Sequence, residues 1–203
     1  MPDLELNKVK DEFKQSMESS LKLIRSINKT QPRFSQEQIC LIYELSFLRI
    51  FLGWEWFIEN TFVLYMLGEK TNKGYRPKTY VKPVNYKHAY EFVRGEHNYV
   101  NWTNPDVIIK KSTLFFEDGQ PFKDVLVFIK QEIRDMKTIR NAIVHMSTKS
   151  REEFKDLIRI KLGYVKSDIT PGEFLHTSAR SQNVPYITYF RVILKAASER
   201  IVK

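Results

Sequence analysis

Residues 140 to 145 read Arg-Asn-Ala-Ile-Val-His, placing a guanidinium, a carboxamide and an imidazole within a few positions of one another. A planar guanidinium donates paired hydrogen bonds to the oxygens of a phosphate. An imidazole gives and takes protons near neutral pH. Together these groups suit chemistry on a phosphate ester, with proton transfer at one atom and charge stabilisation at another.

The surrounding pattern predicts a helix that presents them. At 100° per residue, Met136, Ile139, Ile143 and Met146 cluster on one side and should face a core. Arg134, Thr138, Asn141, His145 and Thr148 form a polar stripe opposite. Arg140 departs from this order, because it projects beside Ile133, Ile143 and Val144 at the apolar arc. A charge there needs a partner, a subunit boundary or a ligand. A plainer reading of the same wheel makes His145 a surface or interface histidine hydrogen-bonded to Asn141 one turn earlier.

The elements that must carry this segment are helical. Leu6, Val9, Phe13, Met17, Leu21, Ile24 and Ile27 recur at helical spacing, ended by a loop at Asn28-Lys29-Thr30-Gln31-Pro32. Ser35 and Gln38 predict a capping box opening a second helix, which runs to about Leu67 with Gly68 to end it. That helix is apolar nearly all round, with Glu44, Glu55 and Glu59 on one face, and is expected at the centre of a bundle. Residues 69 to 103 form a basic, Tyr-rich insert whose Gly74, Pro77, Pro83 and Gly95 break any long helix. Asn104-Pro105 opens a helix through about Phe115, and Asp118-Gly119-Gln120-Pro121 makes a turn. One helix is expected from Phe122 to about Thr148, and another opens at a capping box of Ser150 and Glu153 and closes at Gly163. A turn at Thr170-Pro171-Gly172 precedes a last helix from Pro185 to about Val202. The expectation is one all-α domain over residues 1–203, an antiparallel helical bundle with one insert.

Composition narrows the partners. The 203 residues carry 33 Lys and Arg against 24 Asp and Glu, a net charge of +9 that favours a polyanion. Within the insert, Lys73, Tyr75, Arg76, Lys78, Tyr80 and Lys82 are candidate RNA contacts, since tyrosines stack on bases while cations neutralise phosphates. A solvated basic loop is the alternative there. Cys40 is the one cysteine and is expected to be buried and inert, so no internal disulfide forms. His88, His97 and His176 have no acid or cysteine at ligand spacing, and neither metal nor cofactor is expected. The start of the chain lacks the basic and apolar regions of a secretion signal, and Glu44, Arg49, Glu55 and Glu59 interrupt the longest apolar tract. A reducing cytoplasm and no membrane partner are the expectation.

Arg140-Asn141-Ala142-Ile143-Val144-His145 resembles the R-N-x-x-x-H signature of the HEPN superfamily, helical domains of prokaryotic toxin, antiphage and RNA-processing systems. Trp54-Glu55-Trp56-Phe57 is similar to the W-E-x-[FY] element of the RiboL-PSP-HEPN subgroup. Trp102-Thr103-Asn104-Pro105-Asp106, Gly119-Gln120-Pro121-Phe122 and Thr170-Pro171-Gly172-Glu173-Phe174-Leu175 resemble that subgroup too, in the same order, over residues 40 to 200. The resemblance implies a homodimer with a composite site in which two such segments meet. Arg140, Asn141 and His145 would be catalytic, with Glu55, Arg134 and Thr148 in support. It implies a metal-independent endoribonuclease leaving 2′,3′-cyclic phosphate and 5′-hydroxyl ends, acting as a toxin or antiphage effector. An antitoxin or regulatory protein is a further expected partner. The alternative is a HEPN dimerisation or RNA-binding module without turnover. A basic helical DNA-binding protein ranks third, since the polar stripe lacks helix-turn-helix spacing.

Overall fold

A computed structural model describes residues 5–30, 33–145, 147–163, 169–179 and 183–203. Among the described residues the chain is helical, without a strand beyond two isolated bridges, Thr79 with Phe116 and Ser178 with Pro185. The helices are α1 (Leu6–Thr30), α2 (Gln36–Met66), α3 (Tyr86–Arg94), α4 (Pro105–Phe115), α5 (Lys123–Phe128), α6 (Lys130–Val144), α7 (Thr148–Leu162), α8 (Pro171–His176) and α9 (Tyr186–Ile201). None is long and apolar enough to cross a membrane. The chain divides into two compact units, one of Met1–Lys14, Trp54–Ile133 and Leu194–Lys203, the other of Gln15–Gly53 and Arg134–Ile193.

Several elements follow their local signals. Leu6, Val9, Phe13, Met17, Ile24 and Ile27 of α1 are buried, as their spacing predicts. The Ser35 box forms: the Ser35 N–H donates to Gln38 Oε1 at 2.8 Å and the Gln38 N–H to Ser35 Oγ at 3.2 Å. Asn104 caps α4 by accepting from the Asp106 N–H at 3.1 Å, with Pro105 next. Gly163 ends α7 with φ +70°, the left-handed C-cap that glycine favours.

Other expectations are corrected. Helix α1 continues through Asn28 to Thr30, because helical hydrogen bonding outlasts the apolar pattern; Gln31 and Pro32 lie outside the described residues. The expected helix from Phe122 to Thr148 is two, parted at Ile129 (φ −106°, ψ 17°). Val125, Leu126 and Ile129 are buried as well as Ile133, Met136 and Ile139, so the apolar pattern continues across the break. Thr148 begins α7 instead of ending α6. The cap of α7 is Ser147, whose Oγ accepts from the Ser150 N–H at 3.2 Å, so Ser150 is inside the helix. Thr170-Pro171-Gly172 starts helix α8 through a full capping box with Glu173. Helix α2 is not covered all round: Leu41, Leu45 and Leu52 are each about half exposed, while Phe57, Ile58 and residues 60–66 are buried. Apolar composition does not specify how many neighbours a helix has.

Residues 69–103 also hold more regular structure than their prolines suggest. They contain α3, capped by Asn85 and closed by Gly95. Their backbone is stitched to the first unit: the Asn72 N–H donates to Val202 O at 2.8 Å, Tyr80 N–H to Phe115 O at 3.0 Å and Glu117 N–H to Lys78 O at 3.0 Å. Tyr86 Oη donates to Asn60 Oδ1 at 2.8 Å, and Asn60 Nδ2 to Trp56 O at 2.7 Å. Burial, then the charge of Glu59 and the neighbouring Tyr90, pushes the Tyr86 hydroxyl up to about 12. Burial first, then the charge of Glu55, raises Glu59 above the ordinary carboxylate value.

In the second unit, α8 docks on α2 through its glycine. The Gly172 N–H donates to Glu44 Oε1 at 2.9 Å, and a Cβ on Gly172 would lie 2.4 Å from the Cys40 carbonyl oxygen. Burial outweighs that hydrogen bond and raises Glu44. Because the obstacle is backbone, Gly172→Ala should cost about 3 kcal/mol in urea unfolding, the upper range for overpacking. Glu59 provides a pH-dependent check. A raised carboxyl binds its proton more readily when folded, so stability falls as pH rises from the ordinary value through the raised one. Glu59→Gln should therefore raise the thermal midpoint at pH 7. That gain should vanish below about pH 4, where the carboxyl is protonated in both states.

Candidate functional site

Helix α6 ends at Val144, and the His145 N–H still bonds the Asn141 carbonyl at 2.8 Å. The last helical turn therefore brings the side chains of Arg140 and His145 to the same end. Arg140 Nη1 donates to Asn141 Oδ1 at 3.0 Å and stands 3.2 Å from His145 Nε2. A guanidinium has no lone pair to offer, so Nε2 is the acceptor and the neutral ring carries its proton on Nδ1. Arg140 thus finds its partners on its own chain, and the imidazole meets the guanidinium where the wheel suggested the Asn141 side chain. His145 is exposed; Arg140 and Asn141 are half-buried. The expected core face is incomplete at this end. Met136 and Ile139 are fully buried, but Ile143 is half-buried and Val144 is 49% exposed; Met146 lies outside the described residues.

Helix α7 is held against α6 by a buried ion pair. Lys161 Nζ lies 2.5 Å from Asp135 Oδ2, with the two side chains 24% and 4% exposed. Phe154, Leu157, Ile158 and Leu162 supply the buried side of α7. Beside this contact a groove of about 460 Å³ opens, lined by Arg134, Lys137, Thr138 and Asn141 from α6 and by Lys149, Ser150 and Glu153 from α7. Ser150 is buried, its Oγ 2.8 Å from Ser147 Oγ. Lys149 and Glu153 form a loose pair at 3.9 Å.

The candidate residues thus divide. Arg140, Asn141 and His145 come together, and Arg134 joins Asn141 in the groove. Thr148 is exposed at the start of α7, where its neighbours Lys149 and Ser150 line the groove. Glu55 is half-buried on α2 in the first unit, where its charge acts on Glu59. Lys73, Tyr75, Arg76, Lys78, Tyr80 and Lys82 are all exposed, also in the first unit. Lys78 reaches Glu117 at 3.0 Å, and that partner holds its ammonium above the ordinary lysine value. Of the other histidines, His88 stacks on Phe92, His176 meets Tyr43, and His97 is exposed.

Lys137, Lys149 and Ser150 are new members of the site. Lys137 falls about 60° from Arg134 on the wheel, so periodicity holds a signal for it. Lys149 and Ser150 have none, because their position depends on how α7 returns past α6. The chain matches no protein-family model, no curated protein and no solved structure.

The geometry sets the tautomer of His145. Long-range proton–nitrogen correlation spectra recorded where the ring is neutral should show the Nδ1–H form, and Arg140→Ala should shift the balance toward Nε2–H. A wild-type ring already in the Nε2–H form would contradict the Arg140 contact.

Proposed function

We propose that the chain is a metal-independent endoribonuclease of the HEPN type, a toxin or antiphage effector acting in the reducing cytoplasm of a prokaryote. The carrying observation is the Arg140 guanidinium bound to both Asn141 and His145 at an exposed helix end. In this reading the helices form an antiparallel bundle, residues 69–103 are an insert on it, and RNA is the substrate. The 2′-hydroxyl attacks its neighbouring phosphorus, a neutral imidazole takes the hydroxyl proton on Nε2 once the substrate phosphate draws the Arg140 guanidinium off that nitrogen, and the bond from phosphorus to the 5′-oxygen breaks. An imidazolium protonates that leaving oxygen, giving a 2′,3′-cyclic phosphate and a 5′-hydroxyl. Arg140 neutralises the charge gathering on the phosphorane oxygens, and Asn141 holds the guanidinium in place.

One segment offers one imidazole, while the reaction uses a base and an acid at once. A second copy of the chain supplies the other His145. Val144 and Ile143, apolar and incompletely covered beside the cluster, suit a partner copy at that end. The exposed Lys and Tyr residues of the insert suit a bound strand. An antitoxin or regulatory protein restraining the activity completes this reading.

A module without turnover is the second reading. It draws on the same contact, since an arginine engaged with its own asparagine and histidine also serves as a staple at a helix end. Cleavage decides. Wild-type protein should cut RNA in EDTA along a bell-shaped pH profile, leave cyclic phosphate ends, and spare a strand with 2′-deoxyribose at the cut. His145→Ala should lower the rate by roughly 10² to 10⁴-fold. Arg140→Ala should do likewise, with little recovery in Arg140→Lys because the fork is lost. Both variants should stay folded and dimeric. Full activity in His145→Ala, dependence on added magnesium, 3′-hydroxyl products or a monomer by light scattering would each defeat the composite mechanism.

A further inference from the structure

We propose that the groove between α6 and the start of α7 binds a phosphodiester of the RNA strand next to the one engaged by Arg140 and His145. That the strand is RNA rests on the ribonuclease reading. That the groove takes a polynucleotide phosphate rests on its own lining.

Three cationic side chains, Arg134, Lys137 and Lys149, border one concavity, and among the described residues Glu153 is the only acid in its lining. Glu153 is also paired, at 3.9 Å, with Lys149. A concavity bordered by one sign of charge concentrates counter-ions of the other sign. The lining adds the hydroxyls of Thr138 and Ser150 and the amide of Asn141, with no large apolar side chain among the described residues. An acidic peptide would find no seat for the aromatic or aliphatic anchors that carry most protein contacts. A polynucleotide needs none, because its affinity comes chiefly from phosphate neutralisation. The carboxylate of Glu153 disfavours a free inorganic anion, whereas base amino and sugar hydroxyl groups satisfy it as donors.

Asn141 connects the two places. Its oxygen accepts from Arg140, and the same residue lines the groove. With the oxygen engaged, what its amide has left to offer is its N–H donors. A strand crossing Asn141 therefore meets Arg140 and His145 on one side and the Arg134, Lys137 and Lys149 cations on the other. The groove would set where along the strand the cut phosphate stops, and so act on binding more than on the chemical step.

The test uses a short, fluorescein-labelled 2′-O-methyl RNA, which cannot be cut by 2′-hydroxyl attack, followed by anisotropy in EDTA over a range of salt. Lys137→Gln with Lys149→Gln should weaken binding roughly tenfold, the loss expected for charged hydrogen bonds to phosphate. The slope of log affinity against log salt should become shallower by about 0.7 for each phosphate no longer neutralised. The matched pair Lys8→Gln with Lys22→Gln, exposed and outside the groove, should change affinity by less than about twofold. Lys137→Arg with Lys149→Arg should bind nearly as wild type, showing that charge is what matters, and thermal melts should be similar throughout. Equal affinities in the groove and control pairs, whether both retained or both weakened, overturn the proposal. Competition by inorganic phosphate as effective as by the oligonucleotide marks a free-anion site and also overturns it. So does groove-dependent binding of polyglutamate in place of RNA. Groove-dependent RNA binding by a wild-type protein that never cleaves supports the groove while defeating the ribonuclease reading, so the two failures are distinguishable.

Discussion

Asp135 is buried between α6 and α7 and meets Lys161 at 2.5 Å. A carboxylate removed from water is costly unless a cation and hydrogen bonds replace its hydration, and removing one partner of such a pair costs about 3 to 5 kcal/mol. The pair is directional in a way that the apolar contacts around it are not. The buried apolar side chains of α7, Phe154, Leu157, Ile158 and Leu162, would tolerate sliding by a fraction of a turn. The ion pair would not. Since Arg134 and Lys137 flank Asp135 on α6, the contact that sets the helix register also sets the walls of the cationic groove.

Most of the candidate-site residues in this unit lie along one helix and its continuation. Arg134, Lys137, Asn141, Arg140 and His145 succeed one another over α6 and its first following residue, with Lys149 facing them from α7. Such crowding of positive charge works against the folded state and is relieved by a bound anion. The cluster at the helix end manages part of that cost internally. Arg140 donates to a neutral amide and lies against an imidazole nitrogen with no carboxylate in either place, so its charge is hydrogen-bonded without being cancelled. A carboxylate in either place would hold the guanidinium more tightly and make it less available to phosphate.

The first unit follows a different logic. Phe62, Trp102, Phe116 and Phe122 form an aromatic cluster, with Phe62 and Phe116 at 4.9 Å and Phe62 and Phe122 at 5.0 Å. Residues 69–103 are tied into this unit by main-chain hydrogen bonds at several points, so their exposed tyrosines and lysines stand on an anchored backbone. That anchoring lowers the entropy lost when such side chains are engaged. In the same unit burial first, and then the charge of Glu55, raises Glu59, an arrangement maintained at some expense of stability.

The clustering of Arg140, Asn141 and His145 was legible in the sequence because their types and spacing are local. Arg140, Asn141 and His145 lie within one and a half helical turns, and helical geometry alone brings their side chains within reach. The caps at Ser35 and Asn104 and the stop at Gly163 were legible for the same reason, each being settled within a few residues. The break at Ile129 was not, since the apolar pattern runs on through it. Nor was the short helix at Thr170, whose Gly172 is needed because the Cys40 backbone, far away in sequence, leaves no room for a Cβ. The groove belongs to the same class. Lys137 shares the wheel with Arg134, but Lys149 and Ser150 reach it only because Asp135 and Lys161 bring α7 back along α6. Sequence spacing determines what one helix presents; which second helix completes the site is decided by long-range pairing.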